Sequence, residues 1–285
     1  MSLAHRSTIG EPVLDEAAGR WSAQLVVDDS DTVFFDHSVD HVPGMLMLHG
    51  IAELVERAST ASVGRSVAGF FDLTFTRFVE KDDPAQVAIV PAEAPRTWQV
   101  RMTQFDQVVC AGTVGAVVVG GQDDPTGPNH SMRDGAAATA LAEAVLVHRR
   151  RPENIVVTPL RTAPTGYAVD YQPSEVVRTK RFEYVHCPLD VVEAARQFMI
   201  LLSHTACGFK LGTHLILNRL TVSTPQPFPR AAAVCLRSAQ PRVNRGQLDF
   251  TMYAHCGDAP VATITWDIKA VTPAVYARLR GVSHA

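Results

Sequence analysis

Three polar side chains interrupt an apolar segment in the second half of the chain. Glu193, Arg196 and Gln197 are spaced at i, i+3 and i+4, so in a helix all three share one face. Either they pair with each other and with the backbone, or they face a ligand. An apolar environment raises the pKa of a carboxyl group, so Glu193 is a candidate general base near neutral pH. Arg196 offers a planar fork for a phosphate or for Glu193 itself.

The segment around these residues is predicted to be a buried helix. Apolar residues recur at helical spacing through residues 182–208, which indicates about five turns. Asp190, followed three residues later by Glu193, resembles a capping box, and Gly208 stands where a left-handed residue would close the helix. The candidate chemistry therefore belongs to the first turn of a long apolar helix.

A second helix of the same kind is predicted in the first half of the chain. Pro43 suits the first helical position, and the helix would run to about Ser62 with Gly64 as its closing residue. Gly64 and Gly208 lie 144 residues apart. The same shift places His49 on Glu193, Ala52 on Arg196 and Glu53 on Gln197. The chain therefore contains an internal repeat.

The segments after the two helices also match. Each helix is followed by a strand, at residues 73–80 and 215–222, in which Arg77 and Arg219 are equivalent. Three further runs in each half alternate valine, threonine and aromatic residues, which is typical of strands. They are residues 85–94, 96–107 and 108–119 in the first half and residues 231–240, 247–258 and 259–271 in the second. Strands are also predicted at residues 21–28, 147–160 and 166–173.

One long helix followed by several antiparallel strands, twice over, indicates an α+β fold. A single apolar helix in each unit must be wrapped, and a curved antiparallel sheet can do this. That arrangement is a hotdog, doubled here in one chain as a pseudo-dimer. The predicted boundaries are residues 1–119 for the first repeat, 120–146 for a linker rich in Gly, Pro and Asp, and 147–285 for the second repeat.

Five separated motifs resemble the AfsA-type A-factor biosynthesis hotdog proteins. They are DHVPGMLMLHGIAE, VHRRRPENIVVT, PLDVVEAARQFMILLSH, GTHLILNRL and TPAVYARLRG. The resemblance covers nearly the whole chain outside the linker. It implies an acyltransferase that moves a β-ketoacyl chain from acyl carrier protein to the hydroxyl of dihydroxyacetone phosphate, the first committed step towards γ-butyrolactone or related signalling molecules.

Two features of the sequence depart from the family pattern. The half with the VHR motif usually comes first, and here it comes second. The run after DHVPGM usually continues as E-A-A-R-Q, and here it reads H-G-I-A-E from His49 to Glu53. Only the second half keeps Glu193, Arg196 and Gln197. One complete site and one altered site are therefore expected.

Similarity to the wider hotdog group, which includes hydroxyacyl-carrier-protein dehydratases, implies where the site lies. One unit supplies a histidine from the loop before its helix, and the other supplies an acid from its helix. Carried over, this pairs His37 or His41 with Glu193, and His37 ranks first. The reciprocal pair, His186 with His49, cannot make a histidine–carboxylate couple. Glu193, Arg196 and His37 are thus the expected catalytic residues.

The other candidates are expected to bind substrate. Backbone amides at the helix start near Gly44 could polarise a thioester carbonyl. Arg77 and Arg219 could steer an acidic carrier protein or bind phosphate, or else lie on a solvated strand face. Gln197 bonds either the backbone, which is favoured, or a ligand. His41 and His49 complete this expected substrate-binding set.

Composition narrows the classes of function and partner. The chain is 46% hydrophobic with a net charge of −3 and no basic run, which argues against nucleic acid. Five cysteines without a C-x-x-C pair, and no apolar amino-terminal or membrane-spanning segment, indicate a cytoplasmic protein. No metal-ligand spacing or nucleotide motif occurs, so neither a metal nor a cofactor is expected.

Three functions stay open at this level. The first is acyl transfer from a carrier-protein or CoA thioester to a small hydroxylated, phosphorylated acceptor, by a monomeric pseudo-dimer or a homodimer. The second is a hotdog thioesterase or dehydratase that uses the same histidine and acid. The third is a ligand-binding hotdog without catalysis.

Overall fold

The computed structural model describes residues 7–63, 65–119, 140–177 and 185–282. The expected closing residue Gly64 and most of the predicted linker lie outside these ranges. The predicted repeat boundaries therefore stay a prediction.

Two long helices form the centre of the fold. Helix α1 spans Gly44–Val63 and helix α2 spans Pro188–Thr205, as the helical spacing of apolar residues predicted. The helices contact each other, and strands of a single sheet cover both. Gly208 has the expected left-handed backbone, with φ of 73°, two residues beyond the cap of α2.

Within the described ranges, thirteen strands make one antiparallel sheet, and a third helix, α3, spans Pro273–Val282. The strands are β1 Val13–Asp15, β2 Arg20–Gln24, β3 Ser66–Phe75, β4 Gln86–Pro91, β5 Thr97–Gln104, β6 Gln107–Val118, β7 Arg161–Ala163, β8 Gly166–Asp170, β9 His214–Ser223, β10 Val234–Ser238, β11 Arg242–Asn244, β12 Gln247–Cys256 and β13 Ala259–Val271. The order is β1-β2-β4-β5-β6-β3-β9-β13-β12-β10-β8-β7, with β11 paired to β12.

The strands follow the period-two pattern because alternate side chains face the helices. In β5, for example, Trp98, Val100 and Met102 are buried while the residues between them are not. Strands β3 and β9 pair directly and join the first half of the sheet to the second, with Leu73 opposite Leu220. Each half thus wraps one helix. This is the predicted α+β double-hotdog fold.

The close packing of β3 against β6 depends on one glycine. Gly112 lies opposite Leu73 with φ of 153°. A Cβ atom at this position would lie 1.9 Å from the carbonyl oxygen of Asp72. Only glycine fits there, because any other side chain would displace the backbone of β3.

Two local predictions about these elements were wrong. Residues 147–160 do not form a strand but two 3₁₀ turns, Ala144–Val147 and Pro152–Asn154, followed by one isolated bridge. Helix α2 begins after Cys187 with Pro188 at its start, and no side chain caps it, so Asp190 and Glu193 are not a capping box. Proline favours that earlier start because its ring presets the helical φ.

The two strand arginines are not equivalent either. β3 ends at Phe75, so Arg77 lies in the loop that follows it, whereas Arg219 lies within β9. The similarity of the short segments around the two arginines suggested the wrong alignment of these strands. Their register is set by buried residues, with Leu73 of β3 opposite Leu220 of β9.

Candidate active site

The loop before α1 in the first repeat packs against the VHR segment of the second repeat, and we call this contact the seam. Asp36, in the loop before α1, is buried and accepts the backbone N–H groups of Arg150 (2.6 Å) and Arg151 (3.1 Å). Arg149 Nη1 donates to the carbonyl of Val33 at 2.8 Å. The seam therefore fixes the start of the VHR segment of one repeat against the pre-helix loop of the other.

Glu193 lies behind the seam in a closed network. Its Oε1 accepts from Arg149 Nη2 at 2.5 Å, from Arg196 Nη2 at 2.8 Å and from Gln197 Nε2 at 2.7 Å. Its Oε2 accepts from Arg196 Nε at 2.7 Å. The side chains of Glu193 and Arg149 are 5% and 6% exposed, so this is a buried ion-pair network of the second repeat, which Arg149 links to Val33 of the first.

The electrostatics of Glu193 contradict the expectation of a raised pKa. Burial alone would raise the pKa of its carboxyl group, but the guanidinium groups of Arg149 and Arg196 outweigh burial and hold that pKa well below its ordinary value. The carboxylate stays ionised at neutral pH and already accepts four hydrogen bonds. Such a group is a poor proton acceptor for a substrate.

Gln197 bonds the backbone, the alternative that the sequence favoured. Its Oε1 accepts the N–H of Val156 at 2.9 Å and its Nε2 donates to the carbonyl of Asn154 at 2.8 Å. In the first repeat, Glu53 does the same for the N–H of Thr8 at 2.8 Å. The repeat alignment that placed Glu53 on Gln197 thus corresponds to one shared structural task.

A cavity of about 1260 Å³ opens at the seam. Part of its lining is apolar and includes Met45, Leu48, Met199, Ile200, Leu217 and Trp266. Its polar lining includes His37, His41, His148, Arg149, Arg196 and His214. Two lining residues carry a buried donor, Arg149 Nε and Trp266 Nε1, with no hydrogen-bond partner in the part of the chain that the structure describes. The cavity therefore combines room for an aliphatic chain with cationic and histidine groups.

Five of the nine residues expected at the site line this cavity. They are His37, His41, Gly44, Arg77 and Arg196. Arg77 is exposed at the end of β3, so it borders the opening rather than the interior. The loop before α1, the loop after β3 and the third turn of α2 thus come together at one cavity.

The other four expected residues lie away from the cavity. Glu193 and His49 border a separate void of about 10 Å³ between the helices, far too small for a substrate. Gln197 is buried and bonds the backbone of Asn154 and Val156. Arg219 is exposed on the sheet, where its guanidinium forms a two-bond pair with Asp72 at 2.8 and 2.9 Å.

His37 lines the cavity, and its protonation state suits a general base. Burial lowers its pKa below the ordinary 6.5, and the positive charge of Arg196 lowers it further, against an opposing effect of Asp36. The imidazole is therefore neutral at neutral pH and can accept a proton. Its position in the cavity beside Arg196 brings a base and a cation to the same place.

Helix α3 adds two residues that the sequence did not predict. Tyr276 donates its hydroxyl to Asp40 Oδ1 at 2.7 Å, and Asp40 Oδ1 lies 2.8 Å from Nδ1 of His41. Arg280 bridges Asp40 Oδ2 at 3.1 Å and Glu80 at 2.7 and 2.8 Å. Tyr276 and Arg280 stand at i and i+4 within the TPAVYARLRG motif, and this spacing was the available signal.

The Asp40–His41 pair is held by this helix. Burial would raise the pKa of Asp40, but hydrogen bonds from His41 and Tyr276 lower it to about 2. Burial lowers the pKa of His41 below its ordinary value despite Asp40. His214 stacks on Tyr276 with ring centroids 3.8 Å apart and an interplanar angle of 1°. The wall of the cavity is therefore a connected set of polar rings.

The reciprocal position at the other pre-helix loop is built differently. His186 is buried between the rings of Tyr171 and Phe228, with centroids 5.6 and 5.1 Å away, and its Nε2 lies 3.2 Å from the carbonyl of Ala232. His49 contacts the ring of Phe34 edge-on at 5.0 Å. His49 occupies the position on α1 that corresponds to Glu193 on α2. His186 and His49 therefore cannot form a histidine–carboxylate pair.

Two further observations bear on the class of protein. Across the described ranges, no three His, Cys, Asp or Glu side chains are grouped so as to hold a metal ion. No described helix is both long and apolar enough to cross a membrane.

Comparison with known proteins gives the family. The chain matches the A-factor biosynthesis hotdog domain, AfsA, over residues 3–122 and 130–272. No curated protein matches it significantly.

Solved structures share the fold at low sequence identity. The dehydratase domain of PpsC from Mycobacterium tuberculosis, in complex with C12:1-CoA, is 12% identical with a TM-score of 0.62, over 93% of this chain and 99% of that one. The dehydratase domain from the CurJ module of curacin polyketide synthase is 10% identical with a TM-score of 0.61, over 94% and 98%. The bifunctional dehydratase-cyclase domain in ambruticin biosynthesis is 17% identical with a TM-score of 0.57, over 97% and 99%. With its repeated helices, its seam and its five family motifs, the chain belongs to the A-factor biosynthesis hotdog domain family.

Proposed function

We propose that the protein transfers a β-ketoacyl group from an acyl carrier protein or CoA thioester to the hydroxyl of a small phosphorylated acceptor such as dihydroxyacetone phosphate, in γ-butyrolactone-type signal biosynthesis. The observation that carries the proposal is the seam cavity, which joins an apolar surface to a group of arginines and histidines. The apolar part suits an acyl chain, and guanidinium groups suit a phosphate. Acyl transfer changes no oxidation state, so the proposal includes no cofactor.

The reaction needs one base and one oxyanion partner. His37 accepts the proton of the acceptor hydroxyl while the hydroxyl oxygen attacks the thioester carbonyl carbon. The C–S bond then breaks, and the thiolate takes the proton back from His37, leaving an ester and a free thiol. Holding both substrates in one cavity makes the attack effectively unimolecular.

Arg196 supplies the positive charge in this proposal, and Glu193 positions it. Nε and Nη2 of Arg196 bond Glu193, while its Nη1 makes no hydrogen bond within the described ranges. Arg196 lines the cavity, so this remaining donor is available to a phosphate or to the developing oxyanion. Glu193 therefore acts through Arg196 and does not itself take a proton.

Backbone amides at the start of α1 are a second source of positive potential. Gly44 lines the cavity at the first position of this 20-residue helix, where unpaired N–H groups and the helix dipole favour negative charge. A Cβ atom at Gly44 would meet only Leu217 Cδ2, at 3.8 Å. The fold itself does not require glycine there.

Dehydration, the activity named for the similar structures, is the competing function. Loss of water from a β-hydroxyacyl thioester requires an acid that protonates the departing hydroxyl. A dehydratase-type acid on α2 would be Glu193, whose two arginine partners keep it ionised. This observation favours acyl transfer over dehydration.

Product analysis separates the three functions. The purified protein would be incubated with 3-oxoacyl and 3-hydroxyacyl thioesters of carrier protein and CoA, with and without dihydroxyacetone phosphate, and the products identified by mass spectrometry. An ester that requires dihydroxyacetone phosphate supports acyl transfer. Free acid identifies a thioesterase, an enoyl product identifies a dehydratase, and bound ligand without product identifies a binding protein.

A matched pair of arginine variants locates the reaction. Arg196→Ala is expected to lose most ester formation, whereas Arg219→Ala, on the exposed sheet face and outside the cavity, is expected to retain it. Equal loss in both would contradict the assignment of the cavity.

The carrier-protein donor places the proposed reaction in the cytoplasm, with the chain acting as a monomeric pseudo-dimer or a homodimer.

A further inference from the structure

One of the two unpartnered donors of the cavity lining belongs to an uncharged side chain. Trp266 stands on β13, is 2% exposed and lines the cavity. Its indole Nε1 is buried and has no hydrogen-bond partner among the residues that the structure describes. Leaving a buried N–H group unpaired costs free energy, which a bound acceptor would recover. Trp266 is therefore a place where a ligand can gain a hydrogen bond.

The neighbours of Trp266 within the sheet are apolar. Ile264 and Ile268 are the next residues on the same face of β13, and both are buried. Phe250 of β12 and Leu220 of β9 lie directly opposite Trp266 and are also buried. Within this group of five side chains, the indole alone carries a hydrogen-bonding group. The unpaired donor thus lies in an apolar wall.

This wall continues to the helix start at which the thioester is proposed to react. Leu217 of β9 lies opposite Ile268, and both line the cavity together with Trp266. A Cβ atom at Gly44 would lie 3.8 Å from Leu217 Cδ2. An acyl chain whose thioester carbonyl lies near Gly44 can therefore extend along Leu217 and Ile268 towards Trp266.

The chemistry of the indole selects among acyl chains. An indole N–H donates a hydrogen bond and cannot accept one. A 3-oxo group has lone pairs and no proton, so a single donor satisfies it. A 3-hydroxyl group in an apolar wall would leave its own proton unpaired, and an unsubstituted chain would leave the indole unpaired. Of the three chains, the 3-oxoacyl chain is the one that a lone donor matches.

We infer that Trp266 Nε1 donates a hydrogen bond to the 3-oxo oxygen of the acyl chain, and so selects 3-oxoacyl donors over 3-hydroxyacyl and unsubstituted ones. The inference rests on the proposed function and names the residue that recognises its acyl donor. Trp266 moves no proton, because that task belongs to His37. It determines which thioester is held in place for the transfer.

Indole NMR signals test the hydrogen bond without turnover. The chain has three tryptophans, Trp21, Trp98 and Trp266, so protein with ¹⁵N at the indole nitrogen gives three signals. Loss of one signal in Trp266→Phe identifies the Trp266 indole. The probes are amide analogues of 3-oxooctanoyl-CoA and octanoyl-CoA, with NH in place of the thioester sulfur.

The 3-oxooctanoyl analogue should move the Trp266 indole proton downfield relative to its position with the octanoyl analogue. Trp21 and Trp98, which are not part of the cavity lining, are the internal references. Equal positions of the Trp266 signal with the two probes, or no response to either, would overturn the inference. If Trp266→Phe does not fold, Trp21→Phe and Trp98→Phe identify the third signal by elimination.

Affinities measure the selectivity. The ratio of the dissociation constants of the octanoyl and 3-oxooctanoyl analogues should fall about tenfold in Trp266→Phe, as for one lost hydrogen bond. Phenylalanine keeps an aromatic ring, and a change in packing affects both analogues alike. Trp98→Phe, the same substitution on β5, should keep the wild-type ratio. An unchanged ratio in Trp266→Phe would contradict the role.

The inference and the proposed function can fail separately. If no ester forms but the 3-oxo group shifts the Trp266 signal, acyl transfer is wrong and Trp266 still recognises a 3-oxoacyl chain. If ester forms while the Trp266 signal is the same with both analogues, acyl transfer stands and the role of Trp266 is wrong.

Discussion

Glu193 illustrates how neighbours decide what a carboxyl group does. Its position on a helix of apolar residues predicted a raised pKa, and two arginines reverse that effect. One of them, Arg196, was visible in the sequence at i+3. The other, Arg149, is 44 residues away along the chain and reaches Glu193 only because the VHR segment packs against α2. No local pattern contains that contact.

The network predicts a large stability change in Glu193→Gln. The variant leaves the buried guanidinium of Arg149 and the half-buried one of Arg196 without their counterion, which costs roughly 3–5 kcal/mol of unfolding free energy. Urea denaturation measures the change, with Glu11→Gln, whose side chain is 92% exposed, as the control. Equal stability of wild type and Glu193→Gln would contradict the network.

The same network has a defined pH dependence. The pKa of Glu193 is lower in the folded chain than its ordinary value of 4.5, so its stabilising contribution is complete above that value. The contribution is lost as pH falls below 4.5 towards the folded-state pKa. The stability difference between wild type and Glu193→Gln should therefore narrow in acid. A difference that grows in acid would contradict the direction of this shift.

His37 should govern the rate of acyl transfer. His37→Gln removes the base, and kcat should fall by about 10²- to 10⁴-fold. Because its pKa is lowered from 6.5 and the neutral ring is the active form, the acidic limb of the wild-type kcat/KM profile should lie below pH 6.5. Steady-state kinetics across pH measure both effects. His255→Gln, on β12 and outside the cavity lining, is the control and should keep both the wild-type kcat and the wild-type acidic limb.

At the scale of elements, the sequence predicted the helices and strands whose apolar residues recur at regular spacing. The 3.6-residue and two-residue periods located both long helices and the strands β4, β5, β6, β10, β12 and β13, because one face of each is buried. They failed at residues 147–160, where side chains bond across the seam and the backbone follows those contacts into 3₁₀ turns. The role of α3 was missed for a related reason, since its partners Asp40 and Glu80 belong to the other repeat.

Removal of the Arg280 side chain, which links α3 to Asp40 and Glu80, should lower activity. Arg280 is 12% exposed at its side chain and bonds both Asp40 and Glu80. Arg280→Ala should lower kcat/KM by loosening Tyr276 and His41, and should cost about 1–3 kcal/mol of unfolding free energy. Arg278→Ala, on the exposed face of the same helix, should change unfolding free energy by no more than about 0.5 kcal/mol. Indistinguishable kinetics of the two variants would remove α3 from the site.

For the whole molecule, the repeat read from the sequence was enough to predict the double hotdog. It could not show that β3 and β9 continue one sheet across both halves, since that pairing depends on which strands are left as edges. It also could not show which candidate residues meet. His37 and Arg196 come to one cavity from separate repeats, while Glu193 and Gln197, only one to three residues from Arg196 along the chain, face the interior.

The continuity of the sheet predicts that Gly112→Ala will disrupt the whole fold. The added Cβ would overlap the Asp72 carbonyl of β3, the strand that joins the two halves. The loss of unfolding free energy should exceed about 3 kcal/mol, because strand β3 must shift. Gly281→Ala, whose Cβ would meet nothing within 4 Å, should be close to wild type in the same denaturation experiment.

The packing of His186 between Tyr171 and Phe228 has a consequence for stoichiometry. A symmetric pair of hotdogs would have two equivalent sites, whereas among the described residues of this chain the place around His186 is filled by two aromatic rings. Calorimetric titration with a non-hydrolysable acyl thioester analogue should therefore level off at a single equivalent per polypeptide. Of the two pseudo-symmetric places, one is filled and the other is built from residues of both repeats.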